Sequence, residues 1–172
     1  MSAIRTAEKF RLGFMAALEV DGRGHVGGLL VTSHNGRPLE FQCTTPVKPD
    51  RTQEILYGRA LKSWLLGELI GSTLLQRVGI KPDLVVVRDE EMLELRNHTE
   101  TPVAYLSDTA AAGATITRMM GGRCLHFHSD HTADADLLEG RIHLVPDQAD
   151  LEEPMERVHA ALSETVKSVL TR

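Results

Sequence analysis

The sequence predicts an α/β protein: a mixed sheet that starts with a three-stranded antiparallel meander and continues as alternating helices and strands. Three observations predict it. Hydrophobicity runs with period two from Leu12, glycine-bearing turn signals fold that run back on itself, and beyond a proline break helical patterns alternate with short apolar runs. At 172 residues the chain fits a single domain, with a core over about 12–145 and a C-terminal helix over about 150–170.

Leu12, Phe14, Ala16, Leu18 and Val20 alternate with Gly13, Met15, Ala17 and Glu19, which is the pattern of a strand with one apolar face. Asp21-Gly22-Arg23-Gly24 supplies the positive-φ positions of a hairpin, and the run Leu29 to Thr32 follows it. Asn35-Gly36, a strong hairpin dipeptide, then leads into Leu39 to Cys43. Pro46 and Pro49 break the sheet. Asp50, with Gln53 at the capping-box position, opens a helix expected from about Arg51 to Arg77 and loosened at Gly58, Gly67 and Gly71. Its apolar stripe is Leu61, Trp64, Leu65, Ser72 and Leu75, and Glu68 falls in the middle of it. Burying a carboxylate unpaired costs roughly several kcal/mol, so Glu68 must reach a partner or face a cavity.

Asp83 to Val87 is the short apolar run of a buried parallel strand. Glu90 to Arg96 reads as a short helix, and Pro102 to Leu106 as a further strand. Residues 107–122, containing Ala110 to Gly113 and Gly121-Gly122, read as a mobile connection. Arg123 to His128 is one more strand, Ala133 to Val145 a helix stopped by Pro146. Asp150 caps a last amphipathic helix through Met155, Val158, Leu162, Val166 and Val169.

Composition narrows the function. A net charge of −5 without any Lys/Arg cluster argues against broad electrostatic capture of nucleic acid, leaving only transient contact through a bound metal. Aromatic content of 4% weakens any reading that needs base-stacking platforms. The chain shows no leader-like start and no apolar run of membrane length, and its two cysteines, Cys43 and Cys124, stand far apart. A reduced, cytoplasmic protein without a membrane partner is the expectation. No Gly-x-Gly-x-x-Gly, Walker lysine loop or Gly-x-Ser-x-Gly elbow is present, so nucleotide-cofactor and serine-hydrolase chemistries lose their motifs.

The densest chemistry lies between His126 and Asp136, where His126, His128, His131, Asp130, Asp134 and Asp136 occupy eleven positions. Imidazole and carboxylate together suit Zn²⁺, Mn²⁺ and Fe²⁺, and carboxylates alone suit Mg²⁺.

The element order over roughly 12–106 resembles the RNase H-like fold, and four segments resemble functional parts of its RuvC-type nucleases. Asp21, within Leu18-Glu-Val-Asp-Gly-Arg-Gly-His-Val-Gly-Gly28, resembles their aspartate-plus-glycines opening. Glu68 lies on the crossover helix, where that family places its second acid, and Asp89 directly follows the fourth strand, a third family position. His131-Thr-Ala-Asp134-Ala resembles the segment that opens the last helix. The resemblance implies catalytic Asp21, Glu68, Asp89 and Asp134 in a divalent-metal-dependent phosphodiester hydrolase using Mg²⁺ or Mn²⁺, with His131, His128 and His126 as further ligands. The extra strand after residue 114 departs from the simplest form of the fold.

Each of these residues also has a structural reading. Asp21 suits a hairpin turn, with Glu19 as the alternative first acid; Asp89 suits an N-cap; Asp134 and Asp136 suit a helix start. A second enzymatic reading starts from His126 and His128, whose spacing is similar to the His-x-His pair of JAB/MPN zinc metalloproteases. Ser129, Asp136 and Glu139 depart from that pattern. A third is non-catalytic: an RNase H-like scaffold that binds a protein partner, or a second copy of itself, through the C-terminal helix. The stretch Arg37 to Gly58 also resembles uncharacterised bacterial proteins.

Overall fold

A computed structural model describes residues 10–108 and 116–170 of the chain. Strand β1 (Arg11–Val20) pairs antiparallel with β2 (Gly24–Ser33), and β2 pairs antiparallel with β3 (Pro38–Cys43). Gly22, Gly24 and Gly36 hold positive φ in the two turns, as the sequence requires of them. Strands β4 (Leu84–Val87) and β5 (Val103–Ser107) lie parallel to β1 on its other side. A hairpin of β6 (Thr117–Met120) and β7 (Arg123–Phe127) then joins β5 antiparallel. The sheet order is β3-β2-β1-β4-β5-β7-β6, so the expected mixed α/β architecture is present.

The hairpin corrects one expectation. Residues 116–122 belong to a two-stranded unit turning on Gly121-Gly122, both at positive φ, and not to a connection. Residues 109–115, the rest of the predicted connection, lie outside the described residues.

The crossover between β3 and β4 covers the expected span from Arg51 to Arg77 and breaks at Gly58 and Gly71, but its centre differs from a plain α-helix. It comprises helix α1 (Arg51–Tyr57), a 3₁₀ turn (Gly58–Ala60), a π-helix (Ser63–Gly71) and helix α2 (Ser72–Arg77). The i→i+5 bonding of a π-helix adds a residue to each turn and rotates every later side chain around the axis. The buried face is therefore Leu65, Leu66, Gly67, Ile70 and Gly71, and Glu68 turns to the half-exposed side. Close packing enforces the rotation: a Cβ on Gly67 would press into Glu94 and the backbone of Leu95. Those two residues belong to a 3₁₀ helix over Glu90–His98, expected as a shorter helix, with Asp89 as its N-cap.

Two apolar layers cover the sheet. Phe14, Leu30, Val86 and Leu125 face α3 (Ala133–Ile142) and α4 (Glu152–Leu170), packing on Ala135, Leu138, Met155, Val158 and Leu162. Met15, Leu29, Val31, Val85 and Val87 face the crossover, packing on Leu65, Leu66, Ile70, Leu74 and Leu95. The alternation along β1 and β4 follows from the two-residue period of a strand. Helix α4 is thus part of the core: Met155, Val158 and Leu162 of its predicted stripe are buried on one face of its own sheet, while Val169 at its end is exposed.

Glu40 on β3 fixes the far end of the crossover. Its carboxylate accepts the N–H groups of Gly79 and Ile80 at 3.0 and 2.9 Å. A hydrogen bond from Gln42, then those two N–H groups and nearby Lys81, hold its pKa below the ordinary carboxylate value. A depressed native pKa contributes stability above the unfolded pKa and loses it as pH falls through the native one. Glu40→Gln should therefore lower the urea midpoint at pH 7 and leave it near wild type at pH 3; an equal deficit at both would show that charge is not involved.

Candidate functional site

The carboxyl ends of β1 and β4 lie side by side, with Met15 opposite Val87. Just past β4, Lys62 of the crossover approaches Asp89 at 3.4 Å and Glu91 at 3.5 Å. Burial acts to lower the Lys62 pKa, but the charges and hydrogen bonds of Asp89 and Glu91 outweigh it and raise that pKa above the usual lysine value. Burial likewise acts to raise Asp89, but hydrogen bonds to Glu91 and the Lys62 charge pull its pKa below the ordinary value. Glu91 moves the other way, pushed up chiefly by its hydrogen bond to Asp89 and next by burial. Asp89 also accepts the Glu91 N–H, so it serves as an N-cap and an ion-pair acceptor together.

Asp21 is exposed in the β1–β2 turn. It lies six residues beyond Met15, whereas Asp89 lies two beyond Val87. At about 3.3 Å per strand residue the two carboxylates are roughly 13 Å apart along the strand direction. The β1 residues on the crossover face level with Asp89 are Met15 and Ala17, neither of which can ligate a hard cation as a carboxylate does; Glu19, the alternative first acid, is exposed two residues, roughly 7 Å, further along that face.

The histidine–aspartate segment sits at the opposite end of the strands. β7 runs antiparallel to β5 and ends with Phe127 opposite Ala104, so the residues after it emerge beside the start of β5. There Asp134, nearly fully buried at the start of α3, receives two bonds from Arg96: Nε to Oδ2 at 2.6 Å and Nη2 to Oδ1 at 3.2 Å. The third arm of the same guanidinium donates to the Thr99 carbonyl at 2.6 Å. Bidentate geometry and burial make this a strong, well-oriented pair.

Asn97 joins two histidines. Its side-chain amide lies 3.3 Å from His128 Nε2 and 2.8 Å from His131 Nε2. The Asp130 N–H donates to His128 Nδ1 at 3.0 Å. Asn97 Nδ2 faces His128 Nε2 and Asn97 Oδ1 faces His131 Nε2, so the one amide bridges the two rings. His126 is buried on β7 opposite Tyr105, their rings 5.8 Å apart. Glu68 meets a partner, as one of the two sequence readings required: His98 Nε2 lies 3.7 Å from it and 3.2 Å from Glu94.

The structure thus gathers His128, His131 and Asp134 at one end of the strands, places Asp89 at the other end, and leaves Asp21 on a hairpin tip. Glu68 and Asp134 stand on elements covering opposite faces of the sheet. Among the described residues no group of three or more His, Cys, Asp or Glu side chains is placed to hold a metal ion. No described helix is long and apolar enough to cross a membrane. Sequence reasoning missed Arg96, Asn97 and Lys62, each of which occupies a candidate ligand. The only signal available was the run Arg96-Asn97-His98 at the end of an acid-rich helix.

Neither a protein-family model nor a curated protein matches the sequence. The fold is similar to that of two solved endonuclease V structures. The catalytic domain of human endonuclease V, carrying four cysteine substitutions, superposes with a TM-score of 0.55 at 14% identity, over 94% of this chain and 84% of that one. Human endonuclease V superposes with a TM-score of 0.52 at 13% identity, over 94% of this chain and 86% of the other. An Argonaute from Marinitoga piezophila in complex with guide RNA gives a TM-score of 0.37 at 12% identity, over 89% of this chain and 29% of that one. At these identities the likeness establishes the fold, which is RNase H-like.

Proposed function

We propose that this chain is a non-catalytic RNase H-like module that works by assembling with protein. The reading rests on the two β1 positions that face the crossover beside Asp89: they are Met15, fully buried, and Ala17. An ion shared between the first strand and Asp89 would need a carboxylate there, and Glu19, the alternative first acid, is exposed two residues further along that face. The residues present do not fit the two-ion centre that the fold implies, because Asp21 lies beyond reach, Lys62 already neutralises Asp89, and Arg96 closes Asp134. Phosphodiester hydrolysis through Asp21, Glu68, Asp89 and Asp134, with Mg²⁺ or Mn²⁺, and zinc-dependent proteolysis through His126 and His128 both lack an assembled ligand set among the described residues. The acidic charge of −5 favours protein over nucleic acid as the partner. The C-terminal helix is a poor docking arm, since Met155, Val158 and Leu162 are buried against the sheet.

Mn²⁺ titration by calorimetry, paired with cleavage assays on single- and double-stranded DNA and RNA, tests the reading. No saturable binding at about millimolar metal and no cleavage are expected. Stoichiometric Mn²⁺ binding, together with cleavage abolished by Asp89→Asn, would overturn it.

A further inference from the structure

The apolar stripe of α4 changes character along its length. Leu162 packs so closely over Gly28 that a Cβ there would stand 3.0 Å from its side chain. One turn later Val166 is only half-buried, and Val169 is 54% exposed. Between these last turns and the ends of β1 and β2, at Val20 and Val26, lies an apolar cavity of about 190 Å³. Thr44-Thr45-Pro46, the chain leaving β3, forms another wall, and the free thiol of Cys43 lines it as well. A cavity of this size holds a group as large as benzene, or an alkyl chain of about six to eight carbons.

The charges around it are of one sign. Arg23, from the β1–β2 turn, and Arg77, from the end of α2, both line the cavity, and no Asp or Glu does. Neither arginine meets a carboxylate among the described residues; Arg77 reaches only the Cys43 carbonyl, at 3.5 Å. By contrast Arg88, Arg96, Arg118, Arg123, Arg141 and Arg157 each pair with an Asp or Glu. In a chain of net charge −5, two uncommitted guanidinium groups at one apolar opening supply what the head of an amphiphilic anion needs. We propose that this cavity binds a short-chain amphiphile, its alkyl tail between α4 and the strand ends and its carboxylate or phosphate head at Arg23 and Arg77. No aromatic ring lines the site, so a nucleobase would find nothing to stack on. Val20, Val26 and Leu162 belong to the apolar layer under α4, whereas Lys62 and Asp89 lie with the crossover, so this site is separate from that cluster and its occupancy is independent of assembly with protein.

Octanoate and octyl phosphate, titrated calorimetrically into the full chain, should each bind one to one with a Kd on the order of 100 μM, and the tighter of the two identifies the head. Hexanoate should bind roughly tenfold more weakly than octanoate, since each methylene withdrawn from water is worth about fourfold in affinity. Octylamine, with the same tail and the opposite charge, should lose at least about tenfold. Arg23→Ala and Arg77→Ala should each weaken octanoate by roughly fivefold or more, and both should unfold at the wild-type temperature because both side chains are exposed. Cys43 reports the location: saturating octanoate should slow its alkylation by iodoacetamide several-fold and leave the rate in urea unchanged, while Cys124 is buried. No saturable binding below about 10 mM, octylamine binding as well as octanoate, an affinity indifferent to both arginine substitutions, or a Cys43 reactivity untouched by octanoate would each overturn the proposal.

Discussion

Arg96→Ala should destabilise the protein by about 3–5 kcal/mol, the cost of leaving a buried carboxylate without its counter-ion. Asp134 and Arg96 expose only 7% and 16% of their side chains, so solvent cannot take over the missing partner. For a chain of this length the loss corresponds to a fall in Tm of roughly 10 °C, measurable by calorimetry or circular dichroism. The Thr99 carbonyl loses a donor in the same change, which adds to the deficit. Replacing both charges, Arg96→Leu with Asp134→Leu, should recover most of the loss, since two apolar groups leave nothing unsatisfied. A deficit below about 1 kcal/mol for Arg96→Ala would mean that Asp134 is hydrated and its ion pair no stronger than a surface one.

Removing residues 150–172 should abolish cooperative folding altogether. Met155, Val158 and Leu162 are buried on the sheet face formed by Phe14, Val26 and Leu30. Burying each such side chain contributes about 1.5–3 kcal/mol, so the three together approach the whole stability of an ordinary domain. The truncated chain should lose its near-ultraviolet dichroism and show no sharp urea transition. If it unfolded cooperatively and kept a wild-type near-ultraviolet spectrum, α4 would be an appendage and the sequence expectation of a docking helix would regain its basis.

What could be read from the sequence was local. The meander declared itself through alternation and three glycines at turn positions, β4 through four consecutive apolar residues, and α4 through a long amphipathic stripe. The crossover could not be read in the same way. Its phase is set by how closely Gly67 and Gly71 approach Leu95, a residue more than twenty positions away. A 3.6-residue wheel cannot anticipate a π-helix, so Glu68 landed in a predicted stripe that the structure turns toward His98. β6 escaped notice because Thr117-Arg-Met-Met120 is too short to show a period, although Gly121-Gly122 marked the turn after it. At the candidate site the residue types were visible and their partners were not. Asp134 read as a free ligand because the guanidinium that binds it lies 38 positions earlier. Asp21 and Asp89 followed the order the RNase H-like resemblance implies, but order along a chain leaves open how far past its neighbour each strand runs.

The sheet's flanks bear on how this molecule can multiply. β3 opens on Pro38, and its pairing with β2 slips between Val31 and Thr32; β6, on the other flank, is four residues long. Proline and a bulge spoil the regular row of donors and acceptors that an incoming strand would need, and a four-residue strand offers too few rungs to hold one. Edge-to-edge stacking, which has no natural end point and leads to fibres, is thereby discouraged.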